Sequence, residues 1–315
     1  MIRLMRREAV GTGKHRAGWP HVLSLLERLE SPDGILFDDF VELNFLYGPA
    51  RAHDEPWVGI YHHPPNLPPQ ISGPMTHLSM FSQPAWMASL PHLKLGFALT
   101  EYLAASLRSR LTVPIVTLNY PTPTPQRTFT EDRFLSNDDR KIVQIGWPWR
   151  NTLAIDQLAP VPGFAKAVID HADTPRTGWV DRYNARVQAF WKGRPRPLPG
   201  GTTRIARLND QQYDNLLSAN VVFLELFDCS AKTIVVECIA RTTPIVVNRH
   251  PALEEYLGRD YPLFYGRFDD APALFSTDRL LEGHHYLCAM DKTLLSDDHF
   301  LDRVTSALNR VAPIV

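Results

Sequence analysis

The stretch Val221–Tyr265 contains the residues whose types and spacing are best suited to chemistry. Ser230, Thr233 and Glu237 are spaced i, i+3 and i+7, so they would form a polar stripe along one helix. The polar pair Asp228 and Ser230 would open that helix, and its unpaired N–H groups and positive dipole end favour an anion such as phosphate. A carboxylate two turns further on suits two ribose hydroxyls, because it only accepts hydrogen bonds. The stripe predicts a nucleoside diphosphate site; an ordinary surface stripe with a capping serine is the alternative.

Predicted strands on both sides position this helix. Val221–Leu226 is a β-branched and aromatic run, and Ile245–Val247 follows a helix break at Arg241–Pro244. A strand–helix–strand unit of this size implies a parallel pair with a right-handed crossover. The residues predicted to pack the helix onto the sheet are Ala231, Ile234, Val235 and Cys238.

Two histidines follow an earlier predicted strand. Trp57–Tyr61 delivers His62 and His63 at its carboxyl end, which is where ligands bind in open α/β sheets. The two prolines that follow fix the path of the chain, so the histidines are held in place. A histidine here could bond a sugar hydroxyl or stabilise a leaving phosphate; a structural role is the alternative.

A glycine and a basic residue follow the strand predicted at Ile142–Ile145. Gly146 lets the backbone approach a ligand, and Arg150 offers a planar fork suited to a diphosphate. Asn151 could cap a helix that runs through Leu158. The alternative is a structural turn with a solvated arginine.

Other polar runs are weaker candidates. The glycine-rich segment Gly11–Gly18, which includes Gly13, could cradle a sugar or phosphate, but it does not fit the P-loop pattern. Asp38 and Asp39 follow a predicted strand and are interpreted as a loop cap rather than as metal ligands. A zinc site at His62-His63 is disfavoured, since no third ligand lies at helical spacing.

Composition limits the class of protein. A chain of 315 residues suits two domains of about 150 residues each. A hydrophobic content of 44% and a charged content of 21% are typical of a soluble globular enzyme, and a net charge of −1 argues against nucleic acid as the main partner. Three scattered cysteines argue against a disulfide framework or a zinc site and favour a reducing compartment. We expect neither a signal peptide nor a transmembrane segment.

The run Glu237–Val247, ECIARTTPIVV, resembles the E-A-x-A-x-G-T-P-V-V segment of retaining GT-B glycosyltransferases of the family-4-like group. His250–Gly258, HPALEEYLG, resembles the loop and helix that follow in that group. The resemblance covers the C-terminal half well and the N-terminal half loosely. In that group a further glutamate lies eight residues before the one that matches Glu237. This chain has Cys229 at that position, and Asp228 and Glu225 are the candidates to replace the missing glutamate.

The resemblance implies an α/β protein of the GT-B fold, with two Rossmann-like, doubly wound domains facing a central cleft. Residues 1–135 would form the acceptor-side domain and residues 136–295 the nucleotide-sugar domain, and a helix in residues 296–315 would cross back to the first. It also implies that His62 faces the donor sugar, that Gly13 lies beside it, and that Arg150 and Lys232 neutralise the diphosphate. The nucleotide-sugar contacts are then expected from Gly13, Gly146, Asn151, Asp228, Ser230, Thr233 and Glu237.

The implied activity is transfer of a sugar from a nucleotide-diphospho-sugar to an acceptor hydroxyl, with retention and without a metal or other cofactor. The acceptor could be a glycan, a lipid-linked molecule or a small molecule. The protein could also contact a membrane surface peripherally. A cytoplasmic role in polysaccharide or other glycoconjugate biosynthesis is a hypothesis from the resemblance. The alternatives are a non-catalytic GT-B-like sugar or nucleotide binding protein and another Rossmann-type nucleotide-sugar enzyme, although the G-x-G-x-x-G turn of the latter is not found.

Overall fold

The chain builds two parallel β-sheets from short strands rich in β-branched and aromatic residues. The computed structural model describes residues 1–5, 18–169, 177–192, 196 and 198–311. Within them the chain divides into two units. Unit 1 comprises Met1–Pro123, Cys229–Lys232 and Thr293–Val315, and unit 2 comprises Thr124–Asp228 and Thr233–Lys292.

The sheet of unit 1 has five described strands, and each pairs in parallel with the next in chain order. Its described strands therefore show no reversal of winding, unlike the doubly wound order predicted for this half. The strands are β1 (Ile2–Leu4), β2 (Ile35–Asp38), β3 (Trp57–Tyr61), β4 (Leu93–Ala98) and β5 (Ile115–Thr117).

Helices and a buried aromatic cluster cover this sheet. The α-helices are α1 (Trp19–Leu26), α2 (Pro69–Ser72), α3 (His77–Phe81), α4 (Pro84–Ser89) and α5 (Glu101–Arg108). A π-helix spans Leu43–Tyr47, and short 3₁₀ turns follow α1 and α4. The rings of Trp57 and Trp86 meet at 5.9 Å between centroids and are almost fully buried. Met80 is buried in the same cluster, whereas Leu78 is exposed.

At Gly59 the segment that follows β2 packs closely against β3. A Cβ atom at Gly59 would lie 2.5 Å from Cγ2 of Val41, so only glycine fits at this position. Val41 immediately precedes Glu42, and β3 immediately precedes His62. The missing side chain therefore brings the Glu42 backbone close to the end of β3.

The sheet of unit 2 has the strand order β11-β10-β9-β6-β7-β8, and all neighbours are parallel. The chain starts at β6, moves outward to β8, and returns to the other side of β6 at β9. This is the doubly wound order, with its reversal between β6 and β9. The strands are β6 (Lys141–Gln144), β7 (Ala165–Ile169), β8 (Thr202–Ile205), β9 (Val221–Leu224), β10 (Ile245–Asn248) and β11 (Phe264–Tyr265).

The helices of unit 2 connect these strands. They are α6 (Glu131–Leu135), α7 (Ala154–Gln157), α8 (Thr177–Trp191), α9 (Asp210–Leu217), α10 (Thr233–Arg241), α11 (Pro251–Leu257) and α12 (Thr277–Ala289), with a 3₁₀-helix at Phe268–Phe275. The helix predicted from Asn151 to Leu158 is only the single turn α7, and its N-cap is Leu153 rather than Asn151.

The last helix, α13 (Asp297–Val311), lies within the segment 296–315 that was predicted to contain a helix, and it belongs to unit 1. It contacts α1 and β4. His21 lies 2.7 Å from a carboxylate oxygen of Asp297, and Arg303 donates a hydrogen bond of 3.0 Å to the carbonyl of Thr117. In the part of the chain that the structure describes, no helix is long and apolar enough to cross a bilayer.

Candidate functional site

The reversal of strand order in unit 2 brings two loops together at the carboxyl ends of β6 and β9. The N–H of Asn151 donates to the carbonyl of Glu225 at 2.8 Å, and the N–H of Phe227 donates to the carbonyl of Trp149 at 3.1 Å. A crevice at such a reversal is the usual ligand site of an open α/β sheet. The loop at Gly146–Asn151, selected from the sequence, therefore lies at the position where this fold binds ligands.

Gly146 and Arg150 form one unit within that loop. Gly146 has a positive φ of 80°, and a Cβ atom there would lie 2.9 Å from Nη1 of Arg150. The guanidinium donates a hydrogen bond to the carbonyl of Ile145, and Arg150 is 5% exposed. The glycine thus provides space for the arginine, and contact of Arg150 with a diphosphate stays a prediction.

Asn151 is fully buried and is held by side chains of unit 2. Its Nδ2 donates to Gln157 and to Glu225, each at 2.7 Å. Its Oδ1 accepts from the Leu153 N–H and from the Trp191 indole, each at 3.1 Å. These four bonds use the full capacity of the amide group in this conformation. Asn151 therefore shapes the loop here, and its direct contact with a nucleotide is untested.

An ion pair that sequence reasoning missed lies beside Asn151. Arg196 donates from Nη1 to both carboxylate oxygens of Glu225, at 2.8 and 2.7 Å. Its guanidinium lies 4.1 Å from the ring of Trp191 and 4.0 Å from the ring of Phe268. Contacts on two aromatic faces stabilise a cation. The sequence signal for this pair is slight: a basic residue within a proline-rich loop.

Asp228, at the end of the loop that follows β9, pairs with His250. Oδ1 of Asp228 lies 2.9 Å from Nε2 of His250, and Nδ1 of His250 accepts the N–H of Ala252 at 3.2 Å. Because Nδ1 accepts, Nε2 carries the proton and donates the hydrogen bond to Asp228. The pair joins the end of this loop to the start of α11. Whether Asp228 also contacts a nucleotide is untested.

The helix predicted to open at Ser230 begins at Thr233 instead, so the predicted helical position of Ser230 and Lys232 is wrong. Residues Cys229–Lys232 are non-helical and belong to unit 1. The Ser230 hydroxyl donates a hydrogen bond of 2.5 Å to the carbonyl of His62. This bond ties the Ser230 side chain to the backbone at the end of β3. Thr233 does occupy the helix start.

Glu237 lies within α10, which is buried on nearly all sides rather than on the single apolar face predicted. Its Oε2 accepts the Tyr213 hydroxyl at 2.8 Å, and its Oε1 lies 3.8 Å from Nη1 of Arg241. Arg241 also donates to Asp214 at 2.9 Å. Burial and the charge of Glu237 raise the pKa of Tyr213 well above its usual value. Glu237 is 2% exposed in this network, and its proposed ribose contact remains a prediction.

His62 follows β3 in unit 1, as predicted. Its ring stacks on Phe40 at 4.0 Å and meets Trp19 edge-on at 4.1 Å. Its Nε2 lies 3.0 Å from the carbonyl oxygen of Asp39. A carbonyl only accepts, so Nε2 carries a proton and Nδ1 is the acceptor of the neutral ring. This tautomer suits an interaction in which a sugar hydroxyl donates to Nδ1.

A second missed residue, Glu42, lies beneath the two histidines. Its carboxylate is fully buried and accepts the N–H groups of His62 and His63 and the Nε2–H of His77. Burial and the charge of His77 lower the pKa of His63 to about 4, and the charge of Lys232 acts in the same direction. His62, Ser230 and Lys232 thus share one neighbourhood in unit 1. The sequence signal for Glu42 is slight: a single acidic residue in an apolar run.

The remaining candidates are the aspartate after β2, the possible metal ligands and the N-terminal glycine. Asp38 accepts the Phe40 N–H at 3.1 Å and lies 3.1 Å from Nε2 of His53, which confirms its predicted role as a loop cap. Among the described residues there is no group of three or more His, Cys, Asp or Glu side chains placed to hold a metal ion. Gly13 lies outside the described residues.

Comparisons with known proteins find similar structures but no similar sequence family. No family model matches the sequence, and a search of curated proteins finds no match. Sucrose-phosphate synthase from Thermosynechococcus elongatus superposes with a TM-score of 0.58 at 11% identity, covering 92% of this chain and 77% of the other. The E. coli trehalose-6-phosphate protein bound with UDP-2-fluoro glucose gives 0.54 at 12% identity, covering 92% and 76%. Anabaena HepE in complex with UDP-glucose gives 0.59 at 10% identity, covering 81% and 72%.

At these identities the likeness concerns the fold. The two parallel sheets of five and six strands and the match over most of the chain confirm the predicted GT-B architecture.

Proposed function

We propose that this protein is a glycosyltransferase that moves a sugar from a nucleotide-diphospho-sugar to an acceptor hydroxyl. The observation that carries the proposal is the position of the loop Gly146–Asn151 at the reversal of strand order in unit 2. This edge of an open α/β sheet binds nucleotides in many proteins. Fold neighbours of this chain are described as UDP-forming synthases or as complexes with UDP-glucose.

In the proposed reaction, positive charge stabilises the departing diphosphate. Arg150, Lys232 and the first N–H groups of α10 would supply that charge, so that a metal ion is not required. Electrostatic groups fixed before the reaction lower the barrier because they need no reorganisation as charge develops. Burial of Arg150 and Lys232, at 5% and 8% exposure, supports this assignment, since a fixed cation acts more strongly away from water.

His62 is proposed to orient the donor sugar in unit 1, and Glu237 to contact the ribose in unit 2. The packing of His62 against Phe40 and Trp19 supports the first assignment, because a positioning side chain must itself be fixed. Retention of configuration is part of the proposal; it is described for trehalose-6-phosphate synthase, a fold neighbour. A cytoplasmic role in making a polysaccharide or other glycoconjugate rests on the sequence resemblance.

The test has two stages. The melting temperature is measured against uridine, guanosine, adenosine, cytidine and thymidine diphosphates, because a ligand that binds only the folded state raises it. The nucleotide that binds is then supplied as its diphospho-sugars, with candidate acceptors, and released nucleoside diphosphate is measured. A nucleotide-dependent stabilisation followed by turnover supports the proposal. No stabilisation by any nucleotide would contradict it.

One observation favours a second function, that of a non-catalytic binding protein. Cys229, at the position of the missing glutamate, is completely buried and belongs to unit 1. A buried thiol cannot replace a carboxylate that faces the donor. Tight binding of nucleotide-sugars without any release of nucleotide, across donors and acceptors, would favour this function.

A further inference from the structure

Glu42 is a completely buried residue, and its carboxylate accepts hydrogen bonds from three N–H groups. Both of its oxygens lie 3.0 Å from the backbone nitrogen of His62. Oε1 also accepts the backbone N–H of His63 at 2.9 Å and the ring Nε2–H of His77 at 3.1 Å. An ionised carboxylate inside a protein needs such partners, because an unpaired buried charge is costly.

These donors keep Glu42 ionised. Burial by itself would raise the pKa of Glu42, but the hydrogen bond and charge of His77, together with the two neighbouring histidines, lower it to about 2. Hydrogen bonds to a charged acceptor are shorter and stronger than neutral ones. The turn that leaves β3 is therefore fixed to a permanent negative charge.

His62 is held at three polar points by its surroundings in unit 1. Its N–H bonds Glu42, its carbonyl accepts the hydroxyl of Ser230 at 2.5 Å, and its ring Nε2 bonds the carbonyl of Asp39 at 3.0 Å. The ring face is covered by Phe40. The contacts to Glu42 and Ser230 fix the backbone direction in which the imidazole leaves the chain, and Glu42 does so through the N–H groups of two successive residues, His62 and His63.

We propose that Glu42 is a positioning residue for the sugar transfer, acting by fixing the backbone of His62 so that its imidazole is held toward the donor sugar. This inference rests on the proposed function, in which His62 contacts the sugar. A side chain moved by 1 Å at a reacting centre can cost about 100-fold in rate even without losing a direct contact.

The test is a double-mutant cycle of E42Q and H62A. Gln has the size of Glu but turns one acceptor into a donor, which opposes the N–H groups of His62 and His63. We expect E42Q to lower kcat by about 100-fold while the affinity for the nucleoside diphosphate is unchanged. In the H62A background E42Q should cause no further loss, because its effect passes through His62. A variant of an exposed carboxylate in unit 1, Glu55→Gln, is the matched control and should keep wild-type kcat.

The remaining outcomes are decisive. If E42Q slows the H62A enzyme as much as it slows the wild type, Glu42 acts independently of His62 and the inference is overturned. If E42Q does not fold, His77→Gln replaces it, since this change removes one hydrogen-bond partner of Glu42 and leaves the Glu42 carboxylate in place. The reduction in kcat caused by His77→Gln must also vanish in the H62A background. If the wild type itself shows no turnover with any donor, the proposed function fails, whereas a wild-type enzyme that is active and insensitive to E42Q refutes only the role of Glu42.

Discussion

The hydroxyl of Tyr213 donates a hydrogen bond of 2.8 Å to Oε2 of Glu237, and both residues are buried. Tyr213 lies on α9 and Glu237 on α10, so the bond joins two consecutive helices of unit 2. Arg241 lies 3.8 Å from the other carboxylate oxygen and bonds Asp214 on α9. The residue expected to hold the ribose is thus also part of the packing between two helices.

Glu237→Ala is expected to destabilise the protein strongly. The substitution leaves the charge of Arg241 with Asp214 alone and removes the acceptor of a buried hydroxyl. Breaking a buried charged network by removing one partner typically costs about 3–5 kcal/mol. Tyr213→Phe removes only one neutral donor and should cost about 1–2 kcal/mol. Urea unfolding of both variants measures these values, and equal costs would show that the ion pair contributes nothing.

The ribose role of Glu237 is tested separately with Glu237→Gln, which keeps the shape of the side chain. We expect weaker binding of nucleoside diphosphate by the folded variant, because an amide offers one acceptor oxygen where a carboxylate offers two. Calorimetric titration at a temperature well below the melting point measures the affinity. Unchanged affinity in a folded protein would leave Glu237 with a structural role alone.

Gly146→Ala is expected to displace Arg150. The added Cβ would lie 2.9 Å from the guanidinium at a residue whose φ is 80°, so both backbone and arginine must shift. Alanine in a glycine-only conformation costs roughly 1 kcal/mol or more. We expect a lower melting temperature together with weaker nucleotide binding. Gly163→Ala is a control for backbone strain alone, because its φ is 79° and no atom lies within 4 Å of its Cβ position.

Removing either proposed phosphate cation should slow turnover. Arg150→Ala and Lys232→Ala each remove a fixed positive charge, and loss of one such donor costs on the order of 10²–10³ in kcat. The exposed residues Arg110 and Lys94 provide matched controls for loss of charge, as Arg110→Ala and Lys94→Ala. Steady-state release of nucleoside diphosphate measures the effect. A kcat for both site variants equal to that of their controls would remove these cations from the mechanism.

Acid should destabilise unit 1 in two steps. The pKa of His63 is lowered from 6.5 to about 4, so the unfolded chain binds a proton first and stability falls as pH drops from about 6.5 to 4. The pKa of Glu42 is lowered from 4.5 to about 2, so its contribution is present above 4.5 and is lost between 4.5 and 2. His63→Gln should flatten only the first step. Unfolding free energies measured between pH 7 and 4 check this, and an unchanged slope in the variant would contradict it.

Several elements follow from local patterns in the sequence. The strand β3 has the predicted bounds and α13 lies within the predicted C-terminal helical segment, because a short buried apolar run and an amphipathic helix pattern both show in a local window of the chain. Thr100 caps α5 by a local contact, since its hydroxyl accepts the N–H of Leu103 three residues further on. The same patterns placed His62 and Arg150 directly after strands, and so at a sheet edge.

The partner of the Ser230 side chain could not be predicted, because it is a distant contact. From the sequence, Ser230 is a good N-cap, but its hydroxyl bonds His62, which lies 168 residues earlier. No local window contains that partner. The five-residue strand β7 was also not predicted.

The sequence alone determined the alternation of strands and helices, the likeness to GT-B enzymes and the residues that follow each strand. Only the tertiary structure decided the order of strands in unit 2, the burial of Glu237 with Tyr213, and the position of Glu42 under His62 and His63. The physical reason is that helix and strand periodicity depends on neighbours within about one or two turns, whereas the partner of a buried charge is set by which distant segments pack together.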